Sequence, residues 1–289
     1  QSLRNPDPYD YDWQLEKWDA RSKTMLWSVP GYGGICLLDG GAWLLQPEAF
    51  SGATLRSAAD GSVLRTFSDT LEVGWGPVSG TKVAVHNKNV IRVLDVATGE
   101  ISGSWLPMLS DGTTLKSVYR RLHPDGRRVA VIGMRGLIQD SWFAVGDVLT
   151  GETLLEHRLI YPFGQISISD DGRYATATDP SRFLINDSHP TVDIFNLEHN
   201  QHLKRFVCDP EDTVSCLPFP GQAYFIPESD LIVVAGEAGL YRGVGPLVTI
   251  SLSSLTIEQI LWSPLHYIPE GSWYPEGASV GGVAVGSKP

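Results

Sequence analysis

One short phrase returns six times along the chain: a few residues of β-type sequence, a polar residue, a tight turn and a second apolar run. The copies read WQLEKWDARSKTMLW from Trp13, ATLRSAADGSVLRTF from Ala53, NVIRVLDVATGEISGSW from Asn89, SWFAVGDVLTGETLLEH from Ser141, TVDIFNLEHNQHLKRF from Thr191 and PLVTISLSSLTIEQILW from Pro246. Aligned on Asp19, Ser57, Asp95, Asp147, Asn196 and Ser251, they follow one another at intervals of 38, 38, 52, 49 and 55 residues. Such spacing is expected when each repeat is a four-stranded sheet, and each copy is then the outer hairpin of one sheet.

A second pattern alternates with the first: a small polar turn and then a short apolar strand. It recurs as DGGAWLL from Asp39, VSGTKVAV from Val78, PDGRRVAV from Pro124, DDGRYATA from Asp170, ESDLIVVAG from Glu228 and GASVGGVAV from Gly277. Asp-Gly and Ser-Gly pairs supply the positive φ that tight hairpin turns need, so these read as inner hairpins. The chain opens on an outer hairpin without an inner partner and closes on an inner hairpin without an outer one. Pairing residues 279–287 with residues 13–29 would complete a last sheet and remove exposed edges. The sequence therefore predicts an all-β, six-bladed β-propeller of four-stranded antiparallel blades, sealed between its termini. It spans residues 13–289 as one domain behind an acidic lead-in, residues 1–12.

The turns resemble those of the WD40 and YVTN propeller superfamily over nearly the whole chain. Asp95-Val96-Ala97-Thr98-Gly99-Glu100 and Asp147-Val148-Leu149-Thr150-Gly151-Glu152 match its D-x-x-T-G-E outer turn, and His123-Pro124-Asp125-Gly126-Arg127 matches its x-P-D-G-R inner turn. Trp18-Asp19 keeps the literal Trp-Asp pair, while the Gly-His that opens a regular WD40 repeat is missing. The resemblance implies an architecture and no particular activity.

With 42% hydrophobic residues in 289, the chain can bury a large core. Its longest apolar runs fall well short of the roughly 20 residues of a membrane span, so no membrane insertion is expected. Thirty-three acidic against 22 basic residues give a formal charge of -11, and the nearest approach to a basic run is Tyr119-Arg120-Arg121. Such a surface repels nucleic acid and favours a basic or neutral partner. Cys36 lies in an apolar strand pattern and reads as a small buried hydrophobe. Cys208 and Cys216 flank the polar loop CDPEDTVSC and are candidates for a disulfide if the compartment is oxidising. A start at Gln1, the sequon Asn186-Asp187-Ser188 and few lysines are compatible with export, although a trimmed start and a chance sequon are equally compatible.

In a propeller the hairpin turns occupy one face, and the second-to-third-strand and blade-to-blade connections occupy the other. The hairpin turns here are short. The long connections, residues 133–141, 179–190, 236–246, 106–116, 208–222 and 263–276, all fall on the second face. Loops that exceed the needs of a scaffold commonly carry function, although loops also vary where variation is tolerated. The candidate partner-binding residues there are Trp142, Arg182, His189, Tyr241, Arg242, Trp273 and Tyr274, with Phe183, His266 and Tyr267 beside them. They combine aromatic area with hydrogen-bonding tips. Tyr119, Arg120 and Arg121, near the entrance to a first strand, are candidates for lining the central mouth.

Signals for catalysis are weaker. Gly277-Ala278-Ser279-Val280-Gly281 satisfies G-x-S-x-G, but a strand pattern follows where a nucleophilic serine requires a helix. His199 and His202 fall on a surface hairpin turn without the companions of a zinc set. Asp7, Asp10 and Asp12 lack the glycine and glutamate of a calcium loop. No nucleotide or haem motif occurs, so no cofactor, metal or catalytic residue is assigned. The favoured function is a non-catalytic scaffold that recognises a protein or peptide through the insertion-rich face. The alternatives are a small-molecule hydrolase, lyase or cyclase with an axial pocket assembled from several blades, and a glycan-binding, lectin-like propeller.

Overall fold

Each of the six aligned polar residues caps its own turn. Asp19 Oδ1 accepts the Arg21 N–H at 2.8 Å, Asp95 Oδ1 that of Ala97 at 3.0 Å, Asp147 Oδ1 that of Leu149 at 2.8 Å and Asn196 Oδ1 that of Glu198 at 2.9 Å. Ser57 Oγ and Ser251 Oγ accept from Ala59 and Ser254. Four residues beyond each cap the backbone enters the left-handed region, at Lys23, Gly61, Gly99, Gly151, Asn200 and Leu255. Every one of the six hairpins also carries a register shift. A side-chain-capped turn closed by a left-handed residue and a bulge lets the strands keep their twist, and it explains why the repeat is legible.

The computed structural model describes residues 14–30, 36–47, 52–67, 72–73, 80–87, 89–136, 140–159, 164–179, 191–207, 220–236 and 247–261. The first hairpin is β1 (Gln14–Asp19) with β2 (Thr24–Pro30). Five antiparallel sheets of four strands follow in chain order. The first holds β3 (Cys36–Leu38), β4 (Trp43–Pro47), β5 (Ala53–Ser57) and β6 (Val63–Phe67). The second holds β7 (Glu72–Val73), β8 (Lys82–Asn87), β9 (Val90–Asp95) and β10 (Ile101–Trp105). The third holds β11 (Lys116–Leu122), β12 (Arg128–Met134), β13 (Ser141–Asp147) and β14 (Thr153–Arg158). The fourth holds β15 (Ile166–Ile168), β16 (Tyr174–Asp179), β17 (Thr191–Asn196) and β18 (Gln201–Val207). The fifth holds β19 (Pro220–Phe225), β20 (Leu231–Gly236), β21 (Leu247–Ser251) and β22 (Thr256–Leu261). Within each sheet the strands pair in sequence order, as alternating inner and outer hairpins require. The predicted closure through residues 279–287, the acidic lead-in and the pair Cys208 and Cys216 lie outside the described residues.

The core sits between consecutive sheets. In β12, Val129 and Val131 pack toward the second sheet against Ile91, Val93 and Trp105, whereas Ala130 and Ile132 pack toward the fourth against Ile166, Ala175 and Phe195. Period-two alternation therefore buries both faces of one strand. Cys36, Leu38 and Leu55 meet Val83 and Val85 between the first two sheets, and Val192 and Ile194 meet Ile232, Val234 and Ile250 between the last two. Cys36 is the small buried residue its strand context predicts, at 7% exposure. Lys17 Nζ donates to the Ala58 carbonyl at 2.7 Å and so ties the first hairpin to the first sheet. No helix among the described residues is long and apolar enough to cross a membrane.

Candidate functional site

Three groups of side chains go beyond what packing alone requires. The first lies where two predicted insertions meet. Arg135, in the β12–β13 connection, bonds Asp111 of the β10–β11 connection at 2.7 Å and Asp140 of its own connection at 2.5 Å. Asp140 also accepts the Trp142 indole N–H at 3.0 Å, and Arg158 stands 3.5 Å from it. The hydrogen bond from Arg135 is the largest influence holding the Asp140 carboxyl below the ordinary carboxylate range. Trp142 is half-buried, packed on the core between the second and third sheets, with the Arg135 guanidinium 5.7 Å from its ring centre. Arg135 and Arg158 carry more exposed side chains than Asp140. Next to it, Leu106 and Met108 are exposed over a cleft of about 650 Å³ whose other wall is the start of β14, Thr153 to Glu156.

The second group lies where first strands converge. Pairing of Arg121 with Ala130 puts it one residue from the end of β11, beside the His123–Gly126 hairpin turn. The position is the opposite end of the strand from the entrance expected for it. Tyr119 is half-buried and packs into the core between the third and fourth sheets. The Cys36 thiol on β3 and the Tyr224 phenol on β19 lie within electrostatic range of Arg121. Burial pulls its guanidinium down to about 10, against a smaller opposing influence of those two groups. Its Nε is enclosed and has no hydrogen-bond partner among the described residues.

The third group joins the third and fourth sheets. Asp193, fully buried on β17, takes a hydrogen bond from His202 Nε2 at 2.7 Å and from Arg205 Nε at 2.9 and 3.1 Å. Arg205 continues to the Arg158 carbonyl at 2.9 Å and to His157 Nε2 at 3.2 Å. Burial by itself would raise the Asp193 carboxyl, but the His157 imidazole 3.6 Å away and the hydrogen bonds from His202 and Arg205 hold it at about 2. His157, Asp193 and His202 offer ligand atoms within 4.8 Å of one another. The two imidazoles, however, stack at 3.9 Å with an interplanar angle of 12°. Parallel rings direct their lone pairs side by side, whereas a shared zinc needs them to converge at about 2.0–2.1 Å. As arranged, the group is an ion-pair joint between two sheets.

Arg182, His189, Tyr241, Arg242, Trp273 and Tyr274 lie outside the described residues, as does Ser279. Of the pair His199 and His202, only His202 enters a cluster. Its companions Asp193 and Arg205 carried one local signal, a carboxylate in an otherwise apolar strand, TVDIF. His157 carried none, because its place depends on how the sheets stack.

No family model matches the chain, and no curated protein matches it. Among solved structures, it is similar to one titled "Kuenenia stuttgartiensis Hydrazine Synthase", with a TM-score of 0.57 and 14% identity over 83% of this chain and 71% of that one. It is also similar to one titled "Dihydro-heme d1 dehydrogenase NirN in complex with DHE", with a TM-score of 0.56 and 13% identity over 87% of this chain and 52% of that one, about half its length. These neighbours are propeller-type, and the likeness bears on architecture alone. Matches to 1045 solved chains fit a widely shared scaffold.

Proposed function

We propose that the protein is a six-bladed binding propeller, closed between its termini, that recognises a protein or peptide through its insertion-rich face. The observation that carries this reading is Arg135, which joins two insertions of different origin, through Asp111 and Asp140, above the half-buried Trp142. Connections needed only to link strands gain nothing from being tied to each other. A surface held in one geometry before contact loses less conformational entropy when a partner docks. The exposed Leu106 and Met108 add apolar area beside the charged patch, the combination of core and rim that interfaces use.

The test is affinity capture from the native source with the wild-type chain, Arg135→Ser and Trp142→Ala, beside a control, Leu149→Ser, in an outer hairpin turn. Loss of the same partner with the first two variants and its retention with the control supports the reading. Equal recovery by all four proteins, each verified as folded, overturns it. A small-molecule enzyme with an axial pocket is the second reading, favoured by the enclosed Arg121 Nε on β11, which has no hydrogen-bond partner among the described residues.

A further inference from the structure

We propose that the cleft along β14 holds an extended peptide segment carrying apolar side chains together with lysine or arginine. The proposal rests on the binding role of the insertion-rich face and gives that face a partner chemistry.

The cleft has two fixed walls. From Trp105 to Ser110 buried and exposed residues alternate, so the β10–β11 connection begins as an extended segment with Trp105, Pro107 and Leu109 turned inward and Leu106 and Met108 turned out. It then folds back on itself. The Leu115 N–H donates to the Pro107 carbonyl at 2.8 Å, Met108 bridges to Thr114, and Gly112 turns the chain with φ +83°. Three hydrogen bonds fasten this segment to β14. Thr153 Oγ1 donates to the Met108 carbonyl at 2.7 Å, and Glu156 accepts the Ser110 backbone N–H at 2.8 Å and the Ser110 hydroxyl at 2.5 Å. Walls held in place before contact lose little entropy when a partner docks.

Each wall selects part of the occupant. Leu106 is 41% and Met108 47% exposed, at positions where an outward-facing side chain is ordinarily polar. Methionine adapts its shape to varied apolar partners. On the opposite wall Glu152 is exposed and Glu156 half-buried, and neither carboxylate has an ion pair among the described residues. Arg135, which bonds Asp111 beside Ser110, is already matched by two carboxylates. Unmatched negative charge next to exposed apolar area fits a cation on an aliphatic stem, whose methylenes lie on apolar surface while its head stays in water. The formal charge of -11 attracts such a segment and repels nucleic acid and anionic lipid. β14 is the last strand of its sheet and pairs only with β13 among the described residues, and edge strands are where extended peptides dock. A volume of about 650 Å³ accommodates a few side chains of such a segment.

The experiment follows the fluorescence anisotropy of a labelled peptide alternating leucine and lysine as the full chain is added, beside two control peptides in which glutamate replaces lysine or serine replaces leucine. Expected is saturation with a Kd of roughly 10–500 μM for the first peptide and none for the controls. Met108→Ser should weaken binding about tenfold. Glu152→Gln should weaken it about two- to fivefold and flatten its dependence on salt. Both side chains are exposed, so both variants should keep the wild-type thermal midpoint. Three results would overturn the proposal: no saturation by the leucine–lysine peptide up to about 1 mM, equal affinity for the glutamate control, or undiminished binding by both variants. Dimerisation of the chain in sedimentation that disappears in Met108→Ser would assign the cleft to a second copy and overturn it as well. None of these results alters capture by Arg135→Ser and Trp142→Ala, since neither residue lines the cleft, so a failure here is distinguishable from a failure of the loop-face reading.

Discussion

His123 and Gly172 interlock across two neighbouring sheets. The buried imidazole meets the Gly172 carbonyl through Nε2 at 2.7 Å, and a Cβ at Gly172 would lie 2.3 Å from its Cε1. Both residues belong to inner hairpin turns, and Arg128 strengthens the same seam by donating to the Leu197 carbonyl at 2.9 Å. Gly172 also has φ +73°, so alanine there combines left-handed strain with a clash against a ring that has no free side to move to. Gly172→Ala should cost about 2–4 kcal/mol, read as a lower urea midpoint with unchanged slope. A midpoint within error of the wild type would mean that this seam is looser than its geometry.

A second seam, between the second and third sheets, rests on Trp105 lying over Gly146. A Cβ at Gly146 would come within 2.0 Å of the indole, whose N–H donates to Thr153 Oγ1 at 3.2 Å. Trp105 is 1% exposed. Gly146→Ala should therefore destabilise by more than about 3 kcal/mol, and part of that loss should return in the double variant Gly146→Ala, Trp105→Leu. Additive losses in the double-mutant cycle would rule out steric contact as the cause.

How far the sequence carries depends on how local each feature is. The outer turns were legible because cap and left-handed residue fall within five consecutive residues, and Asp95 and Asp147 advertise them with Thr-Gly-Glu. The buried role of Cys36 followed from its strand context in the same way. The place of Arg121 beside the hairpin turn that ends β11 is not announced by its own neighbours in sequence, because it depends on the pairing of β11 with β12. The half-buried packing of Trp142 beneath Arg135 is likewise not announced locally, since it depends on how the second and third sheets stack. The joint of His157, Asp193, His202 and Arg205 was out of reach: its members come from two sheets, and only stacking brings them together.

The left-handed position four residues beyond each cap also predicts a gain. Lys23 occupies it with φ +55°, is exposed, and donates its backbone N–H to the Asp19 carbonyl at 2.8 Å. Gly61, Gly99 and Gly151 occupy the equivalent places in three other hairpins. Glycine removes the Cβ strain of this conformation at some cost in unfolded-chain entropy, so Lys23→Gly should stabilise by about 0.5–1 kcal/mol. A thermal scan reads the effect as a small rise in midpoint. A fall would show that the lysine side chain makes a contribution its exposure does not suggest.

The joint around Asp193 sets an acid limit on stability. Its carboxyl, at about 2 in the folded protein, lies below the roughly 3.9 of an unfolded aspartate. A depressed folded value means that the contribution is complete above about pH 4 and is lost as pH falls toward 2; it is on the order of 2 kcal/mol. Asp193→Asn removes this dependence and leaves Arg205 without its carboxylate, which should cost about 3–5 kcal/mol near pH 7. Urea unfolding at a series of pH values between about 2 and 7 distinguishes the two effects. The variant should be markedly weaker at neutral pH and should lose less further stability on acidification than the wild type. Parallel acid profiles in the two proteins would place the acid sensitivity elsewhere and reduce the joint to ordinary hydrogen bonding.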